Sequence, residues 1–490
     1  MPDYYALVPV LLPVAGGLLV YLARGCSEKF QRSLIVCFMA LLFAMNLAYL
    51  IALQGRMISP AAVGAIVLDA PGAFISCLVA FLGMLVLVYS LIYRENNRFD
   101  ATFFSLYFVL AGTMCGMACT YNVLVMLVFL EAATVASAVL ILFGRTKRAI
   151  RAAYIYLAIS IVEVILVIYG SFILYGSTGT LDLRLMDISR LSDGDTFLLA
   201  FLFLFGFGTK AGVLPLGIIW LPSAHSDAPA PISATMSGIL IKASVIAMVK
   251  AMYPFFLISG ASTLVLVVAG LGVLNMFVGV IMALLSADLK RLLAYHSISQ
   301  MGYIVMGFGL AVPLGIYGGL FHIMNHMLFK GCLFLIAGAL ILRVNTRQIH
   351  KMGGLLTKMP VTAICFLVAS LAMSGLPFLN GFLSKEAIYE GSIQAGFPVL
   401  FTIAGQGFTF FSICGWATSI LTFICLIHAF IVIFLGKPKG ELGGVQDPPV
   451  CMMLPIVVMA LLCVIIGLFP GLVSGTLQYI AQIVFLMKGG

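Results

Sequence analysis

Charge is what this sequence has least of. Only 9% of its 490 residues are charged while 63% are hydrophobic, and the mean hydropathy is +1.19. A soluble globular chain carries about 25% charged and about 45–50% apolar residues, so this composition excludes one and indicates a polytopic membrane protein. Long polar stretches are missing as well. The longest plausible loop, roughly residues 175–195, is far too short to be a domain. The N-terminal MPDYYALVPVLLPV lacks the basic region and small-residue cleavage site of a signal peptide, so it is expected to form the first span. No Walker loop and no G-x-G-x-x-G opening a strand–helix unit is present. None of the 11 cysteines forms C-x-x-C, and the nearest pair, Cys115 and Cys119, lies inside an apolar run. Free buried cysteine ordinarily acts as a small hydrophobe. The chain is therefore expected to carry no nucleotide engine, no redox centre, no metal and no cofactor of its own.

What is present is a succession of apolar runs long enough to cross a bilayer. They fall near 4–23, 33–53, 72–93, 102–120, 122–143, 150–175, 197–221, 229–253, 260–286, 291–311, 314–342, 360–392, 406–436 and 451–474. That predicts fourteen spans, with 475–488 as a candidate tail helix. The net charge of +9 follows the same topology. With the N-terminus outside, seventeen lysines and arginines fall on inner loops: Arg24, Lys29 and Arg32; Arg94 and Arg98; Arg145, Lys147, Arg148 and Arg151; Lys290 and Arg291; Arg343, Arg347, Lys351 and Lys358; Lys437 and Lys439. Outer segments hold Arg56, Arg184, Arg190, Lys250 and Lys488. The positive-inside rule then places both termini on the outer face. The positive charge belongs to membrane topology, and no nucleic-acid partner is expected.

Four basic residues remain, and all four lie inside spans: Lys210, Lys242, Lys330 and Lys385. A lysine at mid-membrane costs on the order of 2.5–3.5 kcal/mol, so each implies a task or a partner. Lys210 sits at the middle of FLLAFLFLFGFGTKAGVLPLGIIWL, residues 197–221, among Gly206, Gly208, Gly212 and Pro215. A broken helix is tolerated in a membrane only where protein or water satisfies the freed backbone groups. A second interrupted run, 360–392, has Gly375, Pro377 and Gly381 ahead of Lys385. Two broken helices, each with one lysine, point to two transporter repeats. The lysine precedes the proline in the first and follows it in the second, an order that an inverted repeat permits. If Lys385 is to lie at mid-depth, the chain must unwind around Pro377, since a continuous helix from Val361 would carry it about 36 Å, to the interface.

The other ionisable groups suggest proton traffic. Glu131 lies in NVLVMLVFLEAATVASAVLI, followed by small residues that let helices approach closely. A lone carboxylate there would hold a proton, whereas a lysine beside it would keep it ionised. Such a Glu–Lys pair can act as a switch, or as a static pair that fixes packing. His322, His326 and Lys330 recur at i, i+4 and i+8 in one run, on one helical face. Two histidines four apart also suit zinc, but further ligands are wanting and there is no H-E-x-x-H carboxylate. Histidine titrates near neutrality and buried lysine can release a proton where arginine cannot, so the row reads as a relay. Lys242 lies between Lys210 and this row in sequence, and His296 and Ser299 follow in the run 291–311. Glu163, Glu386, Glu390 and His428 are further ionisable groups within spans. Sodium would prefer carbonyl and carboxylate oxygens.

FGTKAGVLPLGIIWLPSAHSDAPAPISATMSGILIK, DLKRLLAYHSISQMGYI, FHIMNHMLFKGCLFLIAG and GLPFLNGFLSKEAI resemble, in this order, signature stretches of the antiporter-like subunits. These occur in respiratory complex I, in multi-subunit Na⁺/H⁺ antiporters and in membrane-bound nickel–iron hydrogenases. The resemblance runs from about Glu131 to Glu386. It implies an all-α polytopic membrane protein of about fourteen helices, with two inverted five-helix repeats and two broken helices. The division it suggests is 1–120 for N-terminal helices, 121–253 and 254–436 for the two repeats, and 437–490 for a C-terminal helix and tail. It assigns a Glu–Lys pair to Glu131 and Lys210, a central link to Lys242, His322, His326 and Lys330, and a terminal lysine to Lys385. Some relatives carry glutamate at that terminal position. Here Glu386 follows Lys385 but points elsewhere on a helix, so it is no obvious substitute. Within the family, the SAHSDAP stretch and the chain length resemble the hydrogenase type. The implied function is proton translocation in the inner or plasma membrane of a prokaryote, with Na⁺/H⁺ exchange as the alternative. The implied partners are other membrane subunits and a peripheral redox module with iron–sulfur clusters, since this chain has no fuel site.

Overall fold

The computed structural model describes residues 3–93, 100–257, 261–403, 405–439 and 444–487. Arg94, Arg98 and Lys488, which entered the charge tally, lie outside the described residues. The chain is built of helices: α1 (Val8–Leu22), α2 (Glu28–Gln54), α3 (Ala70–Ser90), α4 (Ala101–Ala118), α5 (Val123–Leu142), α6 (Lys147–Thr178), α7 (Asp193–Lys210), α8 (Gly217–Asp227) and α9 (Ala230–Thr235) in the first half. Then come α10 (Ile241–Met252), α11 (Ala261–Leu284), α12 (Leu289–Gly309), α13 (Pro313–Val344), α14 (Pro360–Ser374), α15 (Asn380–Gln394), α16 (Phe410–Phe430), α17 (Val450–Leu468) and α18 (Gly471–Leu486). Two antiparallel hairpins, β1 (Ala61–Val63) with β2 (Ile66–Leu68) and β3 (Val399–Ile403) with β4 (Gln406–Thr409), sit in connections.

Every predicted run meets a helix or a helix pair, and α18 supplies the candidate tail helix. Among the described residues, 11 helices are long and apolar enough to cross a membrane. The other three predicted runs are α7 with α8, α12, and α14 with α15. The first and last are broken into short pieces. α12 carries Lys290, Arg291, His296, Ser297, Ser299 and Gln300, which lower its hydropathy. Helix starts are set where the apolar runs meet polar connections. Ser27, Asp69, Asp100, Asn122, Thr146, Ser192, Asp288 and Thr409 each accept a bond from a free backbone N–H of the first turn.

α13 is the hub, packing against α12, α14, α15, α17 and α18 as well as α3 and α9. It is buried along nearly its whole length, and α10 is buried completely. A helix apolar on all sides and buried needs neighbours on all sides, which is how α10 and α13 come to hold the buried charges. α1, α2 and α6 are apolar but largely exposed, the surface expected of lipid-facing helices.

Two charges move from their expected places. Lys250, assigned to an outer connection, is buried in the last turn of α10, 3.0 Å from Asp69. It also donates to the carbonyl of Ala118. Lys290, assigned to an inner connection, is buried and donates to the carbonyl of Ala228. Lys250 lies within the run 229–253 and α12 begins two residues ahead of the run 291–311, and in both cases a distant chain segment supplies the oxygen. His428, expected within a span, lies on an exposed face of α16.

Candidate ion-translocation site

Both broken helices are present, and each break has its own support. α7 ends at Lys210, and α8 begins at Gly217. Gly212 has φ +84°, and a Cβ on it would lie 2.9 Å from Leu221 Cδ1, so glycine is required there. Asn275 of α11 satisfies the freed backbone from both sides: its Oδ1 accepts from Leu214 N–H at 3.0 Å, and its Nδ2 donates to the Gly212 carbonyl at 2.8 Å. The second break runs from Gly375 (φ +82°) to Leu379, as the glycines around Pro377 predict. Here Asn325 of α13 donates to the Asn380 carbonyl at 2.7 Å. Neither amide was singled out from sequence, because an isolated asparagine in an apolar run gives no sign of its partner.

The structure gathers Lys210, Glu163 and Glu131. The direct ion pair is with Glu163 of α6, whose Oε1 lies 2.7 Å from Lys210 Nζ, both groups being buried. Glu131 of α5 lies carboxyl to carboxyl with Glu163 and within electrostatic reach of Lys210. The expected Glu131–Lys210 pair is therefore a three-membered group in which Glu163 makes the contact. The Lys210 ammonium also lies over the Tyr156 ring at 4.1 Å and near Trp220 at 5.6 Å. The Tyr156 hydroxyl shares a hydrogen bond with Ser137 at 2.9 Å. Trp220 Nε1 donates to the Thr209 carbonyl at 2.9 Å, which fixes α8 against the end of α7. The electron-rich ring faces help to hold a cation out of water.

Beyond this group, Lys242 on α10 donates to the Ser237 carbonyl, within a turn of π-helix (residues 236–240) joining α9 to α10. Such wider turns free carbonyls and mark functional positions in many helices. Ser237 in turn bonds Ser297 of α12 at 2.7 Å. His225 of α8, read only as part of a motif, is buried within electrostatic reach of Lys242, Lys330 and Lys290. Its ring packs on Trp220 and on Phe334 of α13.

On α13, His322, His326 and Lys330 are all fully buried, as their spacing predicts for one face. The two imidazoles stand 6.3 Å apart between centroids, tilted by 30°. Lys330 Nζ donates to the Leu293 carbonyl at 2.5 Å. His322 has partners on both sides, Ser384 Oγ at 2.9 Å from Nδ1 and Gln300 Oε1 at 3.2 Å from Nε2. Both nitrogens of His326 and of His296 are buried without a hydrogen-bond partner from the protein. Buried polar groups are rarely left so, and ordered water is the usual partner where the site is polar. Among the described residues, no three His, Cys, Asp or Glu side chains converge as metal ligands.

The row ends at Lys385 of α15, which is buried. Its ammonium donates to the Met373 carbonyl and to Ser419 Oγ, each at 2.9 Å, and stands over the Tyr303 ring at 4.5 Å. Ser419 and Tyr303 are themselves bonded at 2.9 Å. Glu386 turns the other way and accepts from Gln406 of β4, as adjacent helical positions require. Of the seven sequence-predicted residues, Lys210, Lys242, His322, His326, Lys330 and Lys385 are buried and Glu131 is half-buried, with Glu163, His225, His296, Gln300, Ser384 and Ser419 buried among them. Ionisable and hydroxyl-bearing side chains are thus gathered inside helices that are otherwise apolar.

Comparison with known proteins agrees with this geometry. Residues 120–412 match the family described as NADH:quinone oxidoreductase/Mrp antiporter, TM. Hydrogenase-4 component B of Escherichia coli is 31% identical over 437 residues, 85% of this chain and 64% of that protein, so this chain spans less than two thirds of that relative. A subunit of the NADH-quinone oxidoreductase of Desulforudis audaxviator is 32% identical over 84% of each chain. A Na⁺/H⁺ antiporter subunit of Alkalihalophilus pseudofirmus is 32% identical over 80% of this chain and 77% of that one. In fold, the chain resembles a subunit of the Mrp complex from Dietzia sp. DQ12-45-1b, with a TM-score of 0.86 and 21% identity over 99% and 97% of the two chains. It also resembles a subunit of the membrane-bound sulfane sulfur reductase, an archaeal respiratory complex, with a TM-score of 0.87 and 21% identity over 98% and 97%. The chain is a multi-pass membrane protein and belongs to the family of antiporter-like subunits shared by NADH:quinone oxidoreductases and Mrp antiporters.

Proposed function

We propose that this chain translocates protons as the antiporter-like subunit of a redox-driven membrane complex. The observation that carries the reading is the burial of Lys210, Lys242, His326, His322 and Lys385 within helices that are otherwise apolar. Protons enter near the first broken helix, pass the central row and leave near the second. Moving one charge across the membrane takes about 2.3 kcal/mol per 100 mV. A peripheral partner with iron–sulfur clusters supplies that energy, in a complex with further membrane subunits such as those that contain the structural relatives. The setting is the plasma membrane of a prokaryote with both termini outside. Taking Lys290 and Lys250 out of the charge tally removes one from each side, so the asymmetry behind this orientation stands.

The likeness to the Na⁺/H⁺ antiporter of Alkalihalophilus pseudofirmus favours a second reading, proton exchange against sodium within a multi-subunit antiporter. One experiment separates the two. The complex purified through this chain is reconstituted into liposomes loaded with a pH-sensitive dye, and is driven either by reductant or by a sodium gradient. Co-purified iron–sulfur subunits with reductant-driven acidification are expected. Acidification driven by sodium alone, with only small hydrophobic subunits present, would replace the first reading by the second. Loss of both in Lys242→Ala is expected of either, and normal transport in that variant overturns the relay.

A further inference from the structure

Away from the ionisable series, a cavity of about 280 Å³ opens between α2, α3, α17 and α18 and ends on α13. Its lining is apolar except for Thr476, with Cys77, Leu78 and Phe81 on one wall and Met324 and Met327 at the back. A cavity of about 150 Å³ lined by Leu, Ile and Phe stays dry and takes up benzene, so a dry space of this size accommodates a longer apolar ligand. The mouth is flanked by Leu47 and Leu472, 39% and 67% exposed, on helices whose outer faces are apolar. Exposed apolar faces of this kind on a multi-pass chain suit contact with hydrocarbon. At one end Thr476 Oγ1 donates to Gln54 Oε1 at 2.6 Å, and this marks the limit of the apolar region. Two residues further on, beyond the end of α2, stands the exposed Arg56.

We propose that this cavity seats one acyl chain of a membrane phospholipid, which enters between α2 and α18 with its anionic phosphate beside Arg56. The apolar lining suits the chain, the lateral mouth opens where chains are the solvent, and the cation at the polar end suits the phosphate. Methionine side chains adapt to an irregular ligand. Met324 and Met327 flank His326 in sequence, so the seated chain packs against the back of the helix that carries the central row. A bound lipid there is part of the packing that holds α13, whether the complex is driven by reductant or by sodium.

Quenching of tryptophan by lipids with brominated acyl chains tests this in the intact complex. Phe81→Trp places a reporter on the cavity wall, read as the difference from the parent complex. Ile420→Trp, on an exposed face of α16, sets full quenching, and Phe366→Trp, fully buried, sets none. Phe81→Trp is expected to be quenched as strongly as Ile420→Trp. Adding Cys77→Phe fills the seat and should return the signal to that of Phe366→Trp. Leu472→Phe, which narrows the mouth from an exposed position, should act in the same direction without disturbing the core. Brominated phosphatidylglycerol should quench more than brominated phosphatidylcholine, and Arg56→Gln should remove the difference. A Phe81→Trp reporter as silent as Phe366→Trp would mean that another chain of the complex covers the mouth, and the proposal fails. Quenching untouched by both filling variants would mean that chains only pass over the surface, which overturns it equally. Equal quenching by the two lipids would show that Arg56 does not select an anionic headgroup, and that half of the proposal fails.

Discussion

The pair that the structure substitutes for the expected one gives the sharpest test. Glu163→Gln removes the carboxylate 2.7 Å from Lys210 while keeping the shape of the side chain. At that distance, and with an effective dielectric constant near 20, the attraction is about 6 kcal/mol. Desolvation of the two ions offsets most of it, so the intact pair adds little net stability. Removing one partner is different, because it leaves a buried charge uncompensated, at about 3–5 kcal/mol. Tyr156, at 4.1 Å, and the nearby Glu131 recover part of this, since ring faces contribute up to about 2 kcal/mol to a desolvated cation. Glu163→Gln is therefore expected to destabilise the complex by about 2–3 kcal/mol, and Glu131→Gln, which makes no direct contact with the ammonium, by clearly less. Both should lose proton transport.

A double variant makes this discriminating. Lys210→Met with Glu163→Gln leaves no uncompensated ion, so stability should return to near that of the parent while transport stays absent. Thermal unfolding of the purified complex reads the first quantity, and dye acidification in liposomes the second. If the double variant is no more stable than Glu163→Gln, the ammonium is not held by Glu163. If Glu163→Gln transports normally while Glu131→Gln does not, the contact seen here is a packing detail and Glu131 is the switch.

Lys210→Arg keeps the charge but will not release a proton at physiological pH, so its transport should fall to background with assembly intact; normal rates would mean that a fixed charge suffices. His322→Ala with His326→Ala removes both imidazoles of α13 and leaves Lys330, and transport should drop by about 10²-fold or more, read as initial acidification rate. Asn275→Leu strands the Leu214 N–H and the Gly212 carbonyl at about 1–3 kcal/mol each, so the unfolding temperature should fall; an unchanged temperature would mean that the first break does not need its amide. Gly375→Ala forces a Cβ into a left-handed position at about 1–2 kcal/mol and to 3.0 Å from Lys385 Cδ, so it should lower both stability and transport.

The spans were legible because a bilayer demands about twenty apolar residues in a row, and the two breaks because glycine and proline cluster nowhere else beside a lysine in such runs. The row on α13 was legible because helical periodicity puts His322, His326 and Lys330 on one face whatever the neighbours. Glu163 was visible as a lone charge, yet its role was not, since the choice between two carboxylates depends on which helix lies against α7. α6 and α8 both pack there, and periodicity within one helix is silent on that. Lys250 was misplaced for a related reason: a lysine near the end of an apolar run is expected to reach the outer face, but Asp69, far away in sequence, lets the helix keep it inside. Asn275 and Asn325 show the same limit for amides.

The two broken helices share an electrostatic solution that their sequences conceal. Lys210 is the last residue of α7, so its charge belongs to the C-terminal turn of a half-helix. Lys385 lies on the other side of its break, in α15, yet its ammonium reaches back to the Met373 carbonyl in the last turn of α14. Both cations thus sit at the negative end of a half-helix, where unpaired carbonyls and the dipole favour positive charge. The order of lysine and break is reversed between the halves while the physical arrangement is kept. In each case an aromatic ring backs the ammonium, Tyr156 at 4.1 Å and Tyr303 at 4.5 Å. Their other partners differ. Lys210 has the carboxylate of Glu163, whereas Lys385 has, among the described residues, the hydroxyl of Ser419 and a carbonyl. The two half-helix ends thus differ in the charge of the partner that faces the ammonium. Ser419→Asp supplies the missing carboxylate and should hold the proton on Lys385, slowing release while leaving uptake at the first break unchanged. Faster net transport in Ser419→Asp would show that release at Lys385 does not limit the flow, and the asymmetry would lose its meaning.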